Sequence, residues 1–131
     1  MDNKIRNWIN NSKLGYFHCN DEVVNKDELL EVLKDKDIYL NNDVLEVVVD
    51  DSWFAVYPVL EEWELKVDTD TFYFIEENLS ETFVIKYDGK EELIDKDKLI
   101  NKIMNSKYIR YYEATDWLLM ESDNYYLVEA F

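Results

Sequence analysis

His18 and Cys19 are the only histidine and the only cysteine in the chain, and they are adjacent. A cysteine nucleophile needs a base within hydrogen-bond reach, whereas neighbouring residues of a β-strand point to opposite faces of the sheet. We therefore expect a partly buried structural pair. One histidine and one cysteine are also too few for the three or four nitrogen and sulfur ligands of a zinc site. A lone cysteine cannot form an internal disulfide, which agrees with a reducing compartment.

The carboxylates are far more numerous, and they are concentrated in two segments. Of the 30 Asp and Glu residues, 12 lie in residues 43–83, where Lys66 is the only base, and five lie in residues 113–131, which contain no base. We call these the first and second acidic segments; their net charges of −11 and −5 account for the whole formal charge of −16. Such a field repels nucleic acid and anionic lipid and attracts basic protein surfaces.

One short motif, VDTDTF, could support catalysis. The run Asp68-Thr69-Asp70-Thr71 resembles the nucleophile motif of haloacid-dehalogenase-like phosphatases. The resemblance implies that Asp68 attacks phosphate, that Asp70 handles the proton and that magnesium is held between them. However, the motif lies mid-chain, and the strand-like FYFIE follows it where that family has a helix. A small metal-dependent hydrolase using Asp68 and Asp70 is thus kept as an alternative, and we favour a protein that is not an enzyme and needs no cofactor or metal.

The N-terminal part of the sequence predicts two helices followed by strands. Asp2 can cap the first helix, and Asn25 with Glu28 forms a capping box for the second, with the short piece YFHC between them. From Val44 onward the hydrophobic period changes to two, which is typical of strands. The predicted strands are VLEVVV, SWFAVY, EWELKV, TFYFIE and TFVIKY.

The C-terminal part predicts a hairpin, a third helix and three more strands. Asp88-Gly89 is a two-residue turn in which both residues need positive φ, and Asp95 can cap a helix. The last strands are expected at residues 107–113, 116–121 and 124–130. We therefore expect one α+β domain over residues 1–131, with two N-terminal helices, a mostly antiparallel β-meander, one further helix and a C-terminal β-meander. No repeat at a fixed period is evident.

Membrane and export signals are missing from the sequence. No run reaches the roughly 18 to 20 apolar residues of a membrane span, and MDNKIRNWINN lacks the apolar centre of a signal peptide. We expect a cytoplasmic protein that binds no membrane.

These features favour a small acidic inhibitor that neutralises a basic partner. The partner would be a nuclease or another nucleic-acid-processing protein, whose cationic groove the inhibitor occupies without itself contacting nucleic acid. Phage anti-CRISPR and anti-restriction proteins and bacterial toxin-immunity proteins act in this general way. Carboxylates spaced along strands can imitate a row of phosphates, and Trp and Tyr between them add contact area. The acids expected to face outward and bind the partner are Glu62, Glu64, Asp68, Asp70, Glu76, Glu77, Asp116, Glu121 and Asp123.

A second function class stays open. A phage structural or assembly protein, or another interaction protein, could carry the same acids on a solvated sheet face, because runs of charge usually face solvent. Such a protein would self-associate through exposed aromatic side chains. The sequence does not fix the oligomeric state.

Overall fold

The computed structural model describes residues 1–78 and 82–131; Glu81 of the first acidic segment lies outside them. The chain divides into two compact units, Met1–Leu65 and Lys66–Phe131. Within the described residues, each unit combines two α-helices with a five-stranded antiparallel sheet, so the predicted α+β class is confirmed. That residues 1–131 fold as a single domain stays a prediction.

The first unit begins with a helix and a hairpin. Its elements are α1 (Asn3–Asn10), β1 (Tyr16–Cys19), β2 (Glu22–Asn25), α2 (Lys26–Leu33), β3 (Asp37–Asn41), β4 (Val44–Val49) and β5 (Ser52–Pro58), followed by a 3-10 helix (Glu62–Lys66). The strand order is β2-β1-β5-β4-β3. As predicted, the Asp2 side chain caps α1, and Asn25 and Glu28 form the capping box of α2.

Both helices of the first unit contribute to one core on one face of its sheet. Isoleucines of α1 and leucines of α2 pack with alternate residues of the strands. The buried cluster is Ile5, Ile9, Phe17, Cys19, Val24, Leu29, Leu33, Leu45, Val47 and Val56. The strand residues between these point the other way, and we call that side the outer face of the first sheet.

The second unit is built in the same manner. Its elements are α3 (Thr69–Glu77), β6 (Phe83–Tyr87), β7 (Lys90–Ile94), α4 (Lys96–Met104), β8 (Tyr108–Tyr112), β9 (Trp117–Glu121) and β10 (Tyr125–Ala130). Its strand order is β7-β6-β10-β9-β8. Asp95 caps α4, and Asp88 and Gly89 have φ values of 52° and 73°, so the predicted helix cap and hairpin turn are confirmed.

The two units share one topology. Each has the order helix, strand, strand, helix and then three strands, and in each sheet the first strand lies between the second and the fifth.

The strand predictions for EWELKV and TFYFIE are wrong. The first is the 3-10 helix, and the second lies in α3, where the Asp68 side chain accepts a hydrogen bond from the Thr71 amide at 2.8 Å. This N-cap and a helical face containing Phe74 and Ile75, both buried, outweigh the β-propensity of the aromatic residues. The structure also adds strands β2 and β3, which the sequence pattern did not predict.

Candidate protein-interaction surface

Exposed aromatic side chains lie on the outer face of the first sheet. Tyr39 on β3 is 57% exposed and Trp53 on β5 is 64% exposed. Val48 of β4 is paired with Trp53 on one side and with Asp37 of β3 on the other. Because directly opposed residues point to the same face, these side chains form one contiguous surface.

Carboxylates surround this apolar centre. Glu46 is paired with Tyr39, and Asp50 and Asp51 form the turn from β4 to β5. A shallow depression of about 380 Å³ lies between these side chains, and none of the residues lining it is Lys or Arg. We call the surface the acid–aromatic patch and define it as Asp37, Tyr39, Glu46, Val48, Asp50, Asp51 and Trp53.

The chemistry of this patch suits a guanidinium or ammonium group. A carboxylate pairs with an Arg side chain through charge-assisted hydrogen bonds, and the face of a Trp or Tyr ring attracts the same cation. The Arg side chains of a basic protein can therefore contact both carboxylates and aromatic rings at the acid–aromatic patch.

The alternation of side chains along β4 could have predicted part of this patch. Glu46, Asp50 and Asp51 belong to the first acidic segment, but the predicted partner-binding set did not include them. The period of two in VLEVVV puts Glu46 and Val48 on one face, and the Asp50-Asp51 turn returns the chain so that Trp53 joins that face. Tyr39 had no signal of its own, because β3 was not predicted.

Glu64 does not face outward, contrary to the prediction. It is only 4% exposed, and its Oε2 lies 3.0 Å from Nε2 of the fully buried His18. The same oxygen accepts a hydrogen bond from the Leu60 amide at 3.2 Å. The alternation expected of a strand does not apply in a 3-10 helix, so Glu64 turns toward β1 while Glu62 stays exposed.

The predicted acids Asp68 and Glu76 form contacts within the second unit. The Asp68 side chain caps the helix, as described above. Glu76 lies 3.5 Å from Nζ of Lys96. Asp70 and Glu77 are exposed at opposite ends of α3. Some acids of α3 thus stabilise the helix, and they do not form the row of carboxylates along a strand that was predicted.

Two predicted acids of the second acidic segment lie in turns. The Tyr111 hydroxyl donates to Asp116, which has a φ of 58° in the turn before β9. Asp123 accepts hydrogen bonds from Ser122 Oγ at 2.9 Å and from the Tyr126 hydroxyl at 3.0 Å. These two bonds hold the pKa of Asp123 below its ordinary value. Both acids are therefore exposed charges with a structural role.

Glu121 is a predicted partner-binding acid that lies between two aromatic side chains. It lies on β9 between Tyr108 of β8 and Tyr125 of β10, its direct strand neighbours. Both tyrosines are exposed. An acid flanked by aromatics thus also occurs on the outer face of the second sheet.

Within residues 1–78 and 82–131, no group of three or more His, Cys, Asp or Glu side chains is arranged to hold a metal ion. In the part of the chain that the structure describes, Asp68 caps α3, so a helix and not the expected strand FYFIE follows the Asp68-Thr69-Asp70-Thr71 motif. The segment before the motif is a 3-10 helix and not the predicted strand EWELKV.

Cys19 and His18 lie on opposite faces of β1. Cys19 belongs to the core cluster, whereas His18 meets Glu64 on the outer face. Burial, followed by the charge of Glu22, raises the pKa of the Cys19 thiol. This is the reverse of what activates a cysteine nucleophile.

Cys19 should therefore react slowly in the folded protein. We expect iodoacetamide to alkylate native Cys19 at least about 100-fold more slowly than the chain unfolded in guanidinium chloride, because the thiol is buried and its thiolate is disfavoured. The rate is measured by intact-mass spectrometry over time. Similar rates in the two states would contradict the burial of this side chain.

No family model, curated protein or solved structure matches the chain. None of the helices in the described part of the chain is long and apolar enough to span a membrane.

Proposed function

We propose that the protein is a cytoplasmic, acidic, non-enzymatic inhibitor that binds a basic protein partner through the acid–aromatic patch. The partner is a nuclease or another nucleic-acid-processing protein, and the inhibitor occupies the cationic groove in which that partner holds nucleic acid. The supporting observation is the combination of two highly exposed aromatic rings with the carboxylates of Asp37 and Glu46 on one sheet face and those of Asp50 and Asp51 in the adjoining turn. No Lys or Arg lines the depression between them.

The charges would act mainly on recognition and association. A net charge of −16 steers a basic partner toward the protein. The same field disfavours direct binding to DNA or RNA, whose phosphates it repels. Carboxylates at the patch then select Arg and Lys side chains over neutral ones.

The aromatic side chains would act mainly on affinity. Trp and Tyr are enriched among the residues that dominate binding energy, because they bury a large area at low entropic cost. Trp53 and Tyr39 lie on paired strands, so their backbone positions are set before the partner arrives. A preformed backbone lowers the ordering cost of binding.

Calorimetric titration with hexa-arginine amide tests this proposal. We expect binding at about 50 mM NaCl that weakens at least about tenfold at about 300 mM NaCl, since exposed charge pairs are screened over a Debye length. Hexaglutamine amide of the same length serves as the neutral control and should not bind. No binding at the lower salt concentration, or binding that salt does not change, would overturn the proposal.

An assembly protein is the second candidate function. The observations that favour it are two groups of exposed aromatic side chains on the outer face of the second sheet: Tyr112 opposite Trp117, and Tyr108 and Tyr125 on either side of Glu121. Such a protein would form oligomers in sizing chromatography with light scattering, whereas the inhibitor requires only that the acid–aromatic patch stay accessible.

A further inference from the structure

The acid–aromatic patch extends to an edge of the first sheet. Two of its residues, Asp37 and Tyr39, belong to β3. In the strand order β2-β1-β5-β4-β3 this strand pairs with β4 on one side, and within the described residues no strand pairs with it on the other. The backbone of β3 is therefore available to a further strand.

β3 lacks the features that usually protect an edge strand. Natural edges are blocked by Lys or Pro, by a β-bulge or by very short strand length. β3 has the sequence Asp-Ile-Tyr-Leu-Asn and pairs with β4 at five consecutive positions without a bulge. Of the other edge strands in the two described sheets, β7 carries Lys90, β8 carries Arg110, and β2 has only four residues.

The main-chain groups of Ile38 and Leu40 point to the open edge. A two-residue turn (42–43) joins β3 to β4, so the pair Asn41–Val44 that closes it exchanges hydrogen bonds between the two strands. Hydrogen-bonded and non-bonded pairs alternate along an antiparallel ladder. The amides and carbonyls of Ile38 and Leu40 therefore point away from β4.

The side chains of β3 offer different chemistry on the two faces of the sheet. Asp37 and Tyr39 are exposed on the outer face, within the patch. Ile38 and Leu40 pack against the core and are only partly buried. A strand added at this edge would place its own side chains alternately beside these two sets. The outer set favours Arg or Lys, and the inner set favours apolar residues.

The base next to β3 lies on the other side of the sheet. Lys36 precedes Asp37, and its Nζ donates to the Val32 carbonyl of α2 at 2.7 Å. Its side chain lines a depression together with Cys19 of the core face. Asp43, in the turn after β3, is exposed, so acids lie at both ends of the strand. The charge of this edge is thus complementary to a cationic strand.

We propose that the basic partner binds by strand addition: an extended segment, in which Arg or Lys alternates with apolar residues, pairs antiparallel with β3 as a sixth strand of the sheet. Main-chain hydrogen bonds to Ile38 and Leu40 hold the segment, and its basic side chains contact the patch. Antiparallel pairing is the more stable arrangement and the one that β3 already makes with β4. This inference deepens the proposed function and rests on it, because the partner's basic character is taken from the patch.

Calorimetric titration with the peptide acetyl-Arg-Val-Arg-Val-Arg amide tests the strand addition. Its alternation matches the five residues of β3. Methylating the backbone nitrogens of both valines removes the donors that face Ile38 and Leu40, and we expect the affinity to fall at least about tenfold. Methylating the nitrogens of the middle and last arginines, which point away from β3, is the matched control and should change the affinity by less than about threefold.

Hydrogen exchange followed by NMR provides an independent measurement. The unmethylated peptide at saturation should slow exchange of the Ile38 and Leu40 amides at least about tenfold, because both become hydrogen-bonded. The Val23 amide points to the open edge of β2, on the opposite side of the same sheet, and its exchange rate should not change.

The outcomes separate strand addition from the proposed function. An unchanged affinity after valine methylation, or unchanged exchange at Ile38 and Leu40, would overturn strand addition. Binding of hexa-arginine amide would then leave the proposed function standing. If neither hexa-arginine amide nor the alternating peptide bound, both proposals would be overturned.

Discussion

Reversing Asp37, Glu46 and Asp51 to Lys should weaken the binding of hexa-arginine amide by about 100-fold or more at low salt, because each reversal replaces an attraction with a repulsion. All three carboxylates belong to the acid–aromatic patch and are exposed or half-buried. Asp50 is left in place, since its φ of 53° is a conformation that Asp tolerates better than most residues. Calorimetry gives the affinity, and circular dichroism verifies the fold.

A variant of equal charge is the control for this prediction. Reversing Glu22, Asp27 and Glu31 changes the net charge by the same amount on exposed positions of β2 and α2. This control should lose no more than about tenfold, through the weaker overall field. If both triple variants bound equally poorly, net charge alone would explain binding and the patch would have no special role.

Replacing Glu64 with Ala should lower the free energy of unfolding by about 3 kcal/mol, because it leaves a buried His18 ring without its carboxylate partner. The variant also loses the acceptor of the Leu60 amide. The size of the effect follows from burial, since the same truncation at an exposed acid costs little. Urea unfolding followed by fluorescence measures the change.

The neighbouring exposed acid provides the comparison. Glu62→Ala, in the same 3-10 helix, should change the free energy of unfolding by less than about 0.5 kcal/mol. The double variant His18→Phe with Glu64→Leu should recover part of the stability, because it removes both polar groups together. Equal losses for Glu62→Ala and Glu64→Ala would show that the His18 contact does not stabilise the fold.

Much of the fold was predictable where local chemistry decides the structure. Asp2, Asn25 and Asp95 each accept a hydrogen bond from an amide of the helix that they cap, and Asp88-Gly89 supplies the positive φ values of a tight turn. These signals depend on a few adjacent residues, so they can be read without knowing the tertiary contacts.

The prediction failed where tertiary burial outweighs local pattern. Phe72, Tyr73 and Phe74 have high β-propensity, yet they lie in α3 behind the Asp68 cap, with Phe74 packed on Phe83. Polar and apolar residues do alternate in EWELKV, but the segment is a 3-10 helix. The alternation therefore led to the wrong prediction that Glu64 is exposed. Its tertiary partner, His18 on the outer face of β1, and the nearby Leu60 amide explain why that carboxylate is buried.

The shared topology of the two units was not predicted from the sequence, for a different reason. The separation of equivalent residues varies from 66 at the caps Asp2 and Asp68 to 73 at Val47 and Met120, so no fixed period exists. Core positions keep their apolar character rather than their identity, as Val47 and Met120 show. The two units keep the same order and pairing of strands although their sequences differ.

Of the candidate site, the sequence located the region of high charge more readily than the residues. The patch draws Glu46, Asp50 and Asp51 from the first acidic segment. The basic partner that the charge segments favour stays a prediction. Several of the acids chosen from pattern cap a helix or accept bonds in turns instead, as Asp68 and Asp123 do. Which carboxylates face an aromatic neighbour depends on strand register, which only the structure provides.

Site-specific photocrosslinking inside cells tests most directly whether the acid–aromatic patch contacts a basic protein. Benzoylphenylalanine would replace Trp53 or Tyr39 in the patch, and Leu30, exposed on α2, as the control. Our account predicts crosslinks to a basic nucleic-acid-processing protein from Trp53 and Tyr39, absent from Leu30 and lost when Asp37, Glu46 and Asp51 are reversed. Crosslinks of equal yield from Leu30, or a captured partner without a basic surface, would contradict it.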